Sequence, residues 1–153
     1  MKKITIEKVD KENVPIDLLL LADPSREAIE TYLGKGSCFV ARENENIIGA
    51  YVLVKKGKEE MEIMNIAVVE KYQNKGIGKL LISDAVVKAK KEGGKKLIVG
   101  TGNSSISQIA FYQKCGFRIT GIKKDYFTRR YNQPIHENGI ICKDMIMLEM
   151  IIG

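Results

Sequence analysis

Residues 67–80 read Ala67-Val68-Val69-Glu70-Lys71-Tyr72-Gln73-Asn74-Lys75-Gly76-Ile77-Gly78-Lys79-Leu80. An apolar run ends, a polar turn follows, and a helix opens on Gly-x-Gly. The first backbone N–H groups of a helix have no intrahelical partner, and that end of the helix is electropositive. Glycines let an anionic group approach those donors, and Lys75 and Lys79 add charge. In physical terms the stretch is a pyrophosphate cradle.

Two familiar phosphate loops do not fit. The Walker pattern needs Gly at position 73 and Ser or Thr after Gly78-Lys79, where the chain has Gln73 and Leu80. The dinucleotide fingerprint needs a third Gly at position 81, which is Leu81. Gly100-Thr101-Gly102 also follows a strand-like run, but Ser105 stands where that fingerprint needs Gly or Ala.

Working outward, Ile63-Met64-Asn65-Ile66-Ala67-Val68-Val69 is nearly all apolar, as expected of a central strand covered on both faces. Downstream, Ile77, Leu81, Ala85 and Ala89 recur every four positions, predicting a helix over 77–92 that Gly93-Gly94 stops. Strands are expected at 2–9, 37–42, 47–55, 60–69, 96–102, 117–122 and 145–151. A short helix follows Pro15. Asp23 as N-cap and Pro24 at the first helical position predict another to residue 33. Ser105-x-x-Gln108 has the form of a capping box for a helix over 106–114. Residues 124–143 hold turn formers, aromatics and charges. The order, hairpins first and crossovers later, implies one mixed sheet with helices on both faces.

Composition sets bounds. The chain has 153 residues, which suits a single domain. Hydrophobic residues at 44% and charged residues at 29% are globular values and exclude a disordered or fibrous chain. No apolar run approaches a membrane span, and Met1-Lys2-Lys3-Ile4-Thr5-Ile6-Glu7 lacks a signal-peptide core, so a cytoplasmic location is expected. Cys38, Cys115 and Cys142 are scattered, and His136 is the only histidine, so no metal is expected. The net charge of +6 suits an anionic partner. The lysines near 88–96 read as a solvated helix end, and no nucleic-acid partner is expected.

Gln73-x-x-Gly76-x-Gly78 resembles the acetyl-CoA signature of the GNAT superfamily of N-acetyltransferases. Ala110-Phe111-Tyr112-Gln113-Lys114-Cys115-Gly116-Phe117 resembles that family's helix ending in Tyr-x-Lys-x-Gly-Phe. The resemblance covers the order of elements along almost the whole chain. It implies an α+β, α/β/α three-layer fold with a mixed sheet of about seven strands and about four helices. The sheet would be splayed between the strands at 60–69 and 96–102.

The resemblance also implies a site. Acetyl-CoA as co-substrate would pair with backbone groups of Ile66, Ala67, Val68 and Val69. Its pyrophosphate would sit on Gln73, Asn74, Lys75, Gly76, Ile77, Gly78 and Lys79, with Asn103 and Ser105 at the mouth of the second strand. Tyr112 matches the position whose hydroxyl protonates the departing thiolate. Without the motif, Tyr112 reads as a core ring with its hydroxyl at the surface. Glu62 is a candidate base or an outward strand carboxylate, and His136 reads as part of a surface turn. The long connection and the first helices would wall the acceptor, with Tyr126, Arg129, Tyr131 and Glu137 as candidate contacts. Arg129 and its neighbour Arg130 suit a carboxylate or phosphate, although an exposed pair explains at least one of them. The expected activity is transfer of acetyl to a primary amine of a small molecule or peptide. The alternative is a module that senses acyl-CoA without turning it over. A homodimer through the apolar last strand is a further expectation.

Overall fold

The structure, a computed structural model, describes residues 3–153. The first strand, β1, spans Ile4–Val9, and Lys2 of the expected strand lies outside the described residues. α1 (Ile16–Leu19) and α2 (Arg26–Leu33) follow, then β2 (Gly36–Glu43), β3 (Asn46–Lys55) and β4 (Glu60–Val68). α3 (Ile77–Lys91), β5 (Lys96–Gly102), α4 (Ile106–Lys114) and β6 (Arg118–Lys123) complete the middle of the chain. The last part holds α5 (Tyr126–Arg130), the strands β7 (His136–Glu137) and β8 (Ile140–Ile141), and β9 (Met145–Ile151).

Seven strands form one mixed sheet in the order β1-β2-β3-β4-β5-β9-β6, with β4 and β5 parallel and every other pair antiparallel. Helices cover both faces, so the expected α/β/α three-layer fold is the observed one. Apolar side chains on the two faces of β2–β4 explain this. On one face, Leu81, Ala85 and Ala89 of α3 pack fully buried with Ile48, Leu97, Val99 and Leu148. On the other, Leu19 and Ile29 of α1 and α2 pack against Val40, Ala50 and Val52. The β2–β3 turn is tight because Asn44 adopts a left-handed φ of 57°, which Asn tolerates.

Four local expectations change. Ser25, not Asp23, caps α2, accepting from the Ala28 N–H at 3.1 Å. Asp23 is freed for other partners. The Ser105 hydroxyl makes no cap bond; it donates to Glu137 instead, so the capping box is not formed. The connection 124–143 is an additional short helix and hairpin, making five helices. β9 is paired on both edges, by β5 and β6. Leu148 is fully buried with Ile146 and Met150 packed against the core, Ile151 is exposed, and neither edge of the strand is open to pair with a second copy.

Candidate active site

Parallel pairing of β4 with β5 runs only from Glu60↔Lys96 to Ile63↔Val99. A bulge ends it. On the other side of β4, Asn65 pairs with Val52 and Ile63 with Leu53, so Met64 is an extra residue that bends the strand away. Past this point the two strands diverge, and the facing backbone groups have no strand partner. Their direction follows from the ladder. The Val69 N–H donates to the Ile48 carbonyl at 2.9 Å, so by antiparallel alternation Ala67 and Val69 spend their groups on β3. Ile66 and Val68 turn theirs into the gap. Of the four residues expected there, these two are the ones whose backbone groups face the gap. Gln73 Nε2 donates to the Val68 carbonyl at 3.0 Å, tying the turn to the strand end.

A cleft of about 400 Å³ follows this gap toward α3, lined by Ile66, Val68, Gln73, Asn74 and Gly78 and by Phe111 of α4. Gly76 caps α3 with φ +86°, a left-handed turn that aims the chain into the helix. Gly78 has a different reason. A Cβ there would lie 3.0 Å from Phe111 Cζ, so its absence lets α4 pack against the helix start. Ile77 points into the core at 4% exposure and does not line the cleft. The Lys75 ammonium lies 5.7 Å from the Tyr72 ring centre. Burial raises the Cys115 thiol pKa, and Lys79 nearby partly offsets it. These lysines keep the helix start electropositive.

Two titratable groups stand at the split. Tyr112, on α4, is 5% exposed, with ring contacts to Phe111 and Phe117. Burial pushes its phenol far above the usual range, and Cys115 adds to this. Glu62, on β4, is 8% exposed. Burial raises its carboxyl above the usual carboxylate range, against Lys56 and Lys123, which pull it down. The side chains expected at the mouth of β5 are already engaged. The Asn103 Oδ1 accepts from the Lys143 and Asp144 N–H groups, and its Nδ2 donates to the Ile141 carbonyl. Asn103 is therefore a clasp for the late connection, with one Nδ2 hydrogen left over. Ser105 Oγ donates to Glu137 Oε1 at 2.7 Å.

Both Tyr112 and Glu62 line a second, larger cavity of about 900 Å³ on the α1–α2 side of the split. Tyr126, Tyr131 and Glu137 line it too. Arg129 does not; the α5 turn directs Arg130 there instead. A chain of hydrogen bonds forms one wall. Asn65 Nδ2 donates to the Leu19 carbonyl and the Tyr32 hydroxyl, both at 3.0 Å. Tyr32 donates to Asp23 Oδ2 at 3.1 Å, and Tyr131 donates to Asp23 Oδ1 at 2.8 Å. Burial raises both phenols above their usual pKa, so both remain donors. Among the described residues, no group of three or more His, Cys, Asp and Glu is placed to hold a metal ion.

This fold recurs in known proteins. Residues 10–117 match the Acetyltransferase (GNAT) family. The chain belongs to the GNAT acetyltransferase family. It is 50% identical over 149 residues to an uncharacterised N-acetyltransferase of Bacillus subtilis (strain 168), covering 97% of this chain and 96% of that protein. It is 54% identical to the solved IAA acetyltransferase of Bacillus cereus ATCC 14579, with a TM-score of 0.94 over 97% of this chain and 99% of that one. It is 53% identical to a GNAT family acetyltransferase of Elizabethkingia anophelis solved with acetyl-CoA bound, with a TM-score of 0.94 over 97% of each chain.

Within this GNAT fold, the split supplies unpaired strand donors and acceptors, and α3 supplies an anion-binding end. Together they suit a ligand with an amide-bearing arm and a phosphate. The sequence reading missed Asp23, Tyr32 and Asn65 as wall residues of the larger cavity, and of its arginine pair only Arg130 lines it. Asn65 carried the one available signal, an isolated polar residue inside an apolar strand. Among the described residues, no helix is long and apolar enough to cross a membrane.

Proposed function

We propose that the chain transfers acetyl from acetyl-CoA to a primary amine of a small molecule or peptide, by direct attack. The observation that carries this reading is the break in β4–β5 pairing beside Tyr112 and Glu62. When bound, acetyl-CoA supplies an acetyl thioester. The backbone groups of Ile66 and Val68 would receive its extended arm as an added strand, and the Val68 N–H would polarise the acetyl carbonyl. The N-terminus of α3, from Gln73 to Lys79, would hold the pyrophosphate.

Glu62 takes the proton that the amine must lose, and its raised pKa makes it a stronger base than an exposed carboxylate. The nitrogen then bonds to the acetyl carbon and the carbon–sulfur bond breaks. Tyr112 supplies the proton that the departing sulfur takes. Its raised pKa keeps it protonated and neutral at any working pH, so the proton is always there to give. The products are an amide and a free thiol; Glu62 releases its proton to solvent and Tyr112 regains one from it, which restores both groups.

Free-thiol release from acetyl-CoA across polyamines, aminoglycosides, amino acids and short peptides tests the proposal. Amine-dependent release supports transfer. Tight acetyl-CoA binding with no release for any amine would favour a sensor.

A further inference from the structure

The larger cavity is bipolar. Its lining carboxylates are Asp23, Glu27, Glu62 and Glu137; its lining cations are Lys35, Lys56, Lys123 and Arg130, with His136 beside them. The carboxylates are mostly committed. Asp23 accepts hydrogen bonds from Tyr32, Tyr131 and the Ser25 N–H. Glu137 accepts from Ser105 and Ser104. Glu62 is held in the wall at the split, and Glu27 lies on the exposed α2 side.

The cations are less committed: Lys56 and Lys123 act on Glu62 through space only. Among the described residues, none of the four forms an ion pair. Two of them converge on one ring. The Arg130 guanidinium carbon lies 3.8 Å and the Lys123 ammonium 5.8 Å from the centre of the Tyr126 ring. Stacking fixes the plane of the guanidinium and leaves its edge donors available; only Nη1 is used, on the Tyr126 carbonyl at 3.3 Å. These cations do not serve the other cleft. None of them lines it, and that cleft runs to the N-terminus of α3 at Gln73, Asn74 and Gly78.

Resting on the transfer reading above, we infer that the acceptor is an amine that also carries an anionic group, held by Arg130 and Lys123 beside Tyr126 while its nitrogen faces Glu62. A guanidinium fork and an ammonium suit a carboxylate or a phosphate equally. The aromatic lining from Tyr32, Tyr126, Phe127 and Tyr131 suits an apolar body between the two ends. A polyamine would meet these cations with like charge.

The test uses two matched pairs of probes: phenylalanine against phenethylamine, and phosphoethanolamine against ethanolamine. Binding to the full chain with saturating CoA is measured by calorimetry, and thiol release is measured separately. In at least one pair the anionic member should bind about tenfold more tightly, the worth of one charge-assisted hydrogen bond. The pair that responds distinguishes carboxylate from phosphate. Arg130→Gln should remove that preference, Arg130→Lys should retain part of it, and the bare amine should bind all of them equally. Equal binding within both pairs, no binding of any probe, or equal loss of both members in Arg130→Gln would overturn the inference. The two readings fail separately. Arg130-dependent binding of the anionic amine without thiol release supports the anion site and removes the transfer; release from bare amines with no gain from the anion does the reverse.

Discussion

The Tyr131 hydroxyl donates to Asp23 Oδ1 at 2.8 Å across 108 positions of the chain. This one bond joins the α1–α2 connection to the segment after α5, the two walls of the larger cavity. Tyr131→Phe keeps the ring and removes the bond. It should cost about 1 kcal/mol of stability, read by denaturant unfolding. The acceptor KM should rise severalfold while acetyl-CoA affinity stays unchanged. Equal changes in both would place the bond outside the acceptor side.

Asn65 anchors the same wall from the strand. Its Nδ2 donates to the Leu19 carbonyl, which also accepts from the Ala22 and Asp23 N–H groups, and its Oδ1 is buried with no partner among the described residues. Asn65→Leu removes that unpaired oxygen together with two hydrogen bonds, while the Leu19 carbonyl keeps the Ala22 and Asp23 N–H groups and the Tyr32 hydroxyl still donates to Asp23. Two bonds lost outweigh one orphan removed. A net destabilisation of about 1 kcal/mol is expected in chemical unfolding. A stabilised variant would mean the amide serves no structural end.

Glu62 predicts a pH dependence with a definite sign. Burial raises its folded pKa, so the folded state holds the proton to higher pH than the unfolded state. Its contribution therefore falls as pH rises from the unfolded carboxylate value of about 4.3 through the raised folded value. Glu62→Gln should flatten that decline in stability. The same substitution should lower kcat/KM by about a hundredfold and erase its acid limb. An acid limb that survives in Glu62→Gln would assign the base elsewhere.

Tyr112 gives the complementary case. Its raised pKa leaves it protonated across the assay range, so it should produce no alkaline decline. Tyr112→Phe should slow kcat by about one to two orders of magnitude, below or at the low end for general acids because the ring's packing is kept. The decrement should be constant between about pH 6 and 9, well below the tyrosine range. A wild-type alkaline limb that disappears in the variant would show a phenol with an ordinary pKa.

How much of this was legible follows from which signals are periodic. The fourfold recurrence of Ile77, Leu81, Ala85 and Ala89 specifies α3, because burying that stripe is what holds a helix to a sheet. The apolar run ending at Val69 located β4, and Gly76-x-Gly78 located the turn between them. The cavity wall was harder. α5 is five residues long, too short for a period to show, and its two arginines differ only in which one the turn directs inward. Asp23 followed by Pro24 has the chemistry of an N-cap, yet Ser25 takes that role because two distant tyrosines claim the carboxylate. The bulge at Met64 has no sequence mark, since Met fits a strand with or without it.

The two glycines that open α3 should respond differently. Gly76 sits at φ +86° with nothing within 4 Å of an added Cβ. Gly76→Ala is therefore strained by backbone alone, costing about 1–2 kcal/mol. Relief would rotate the amides at the helix start, so acetyl-CoA affinity should fall with the stability. Gly78 has ordinary φ, and an added Cβ meets Phe111 Cζ at 3.0 Å. Gly78→Ala should push α4 outward by tenths of an ångström and with it Tyr112. Its signature is a lower kcat at nearly unchanged acetyl-CoA affinity, and Phe111→Leu should rescue it by making room. If Phe111→Leu rescues Gly76→Ala equally, the two positions share one cause and the distinction drawn from φ fails.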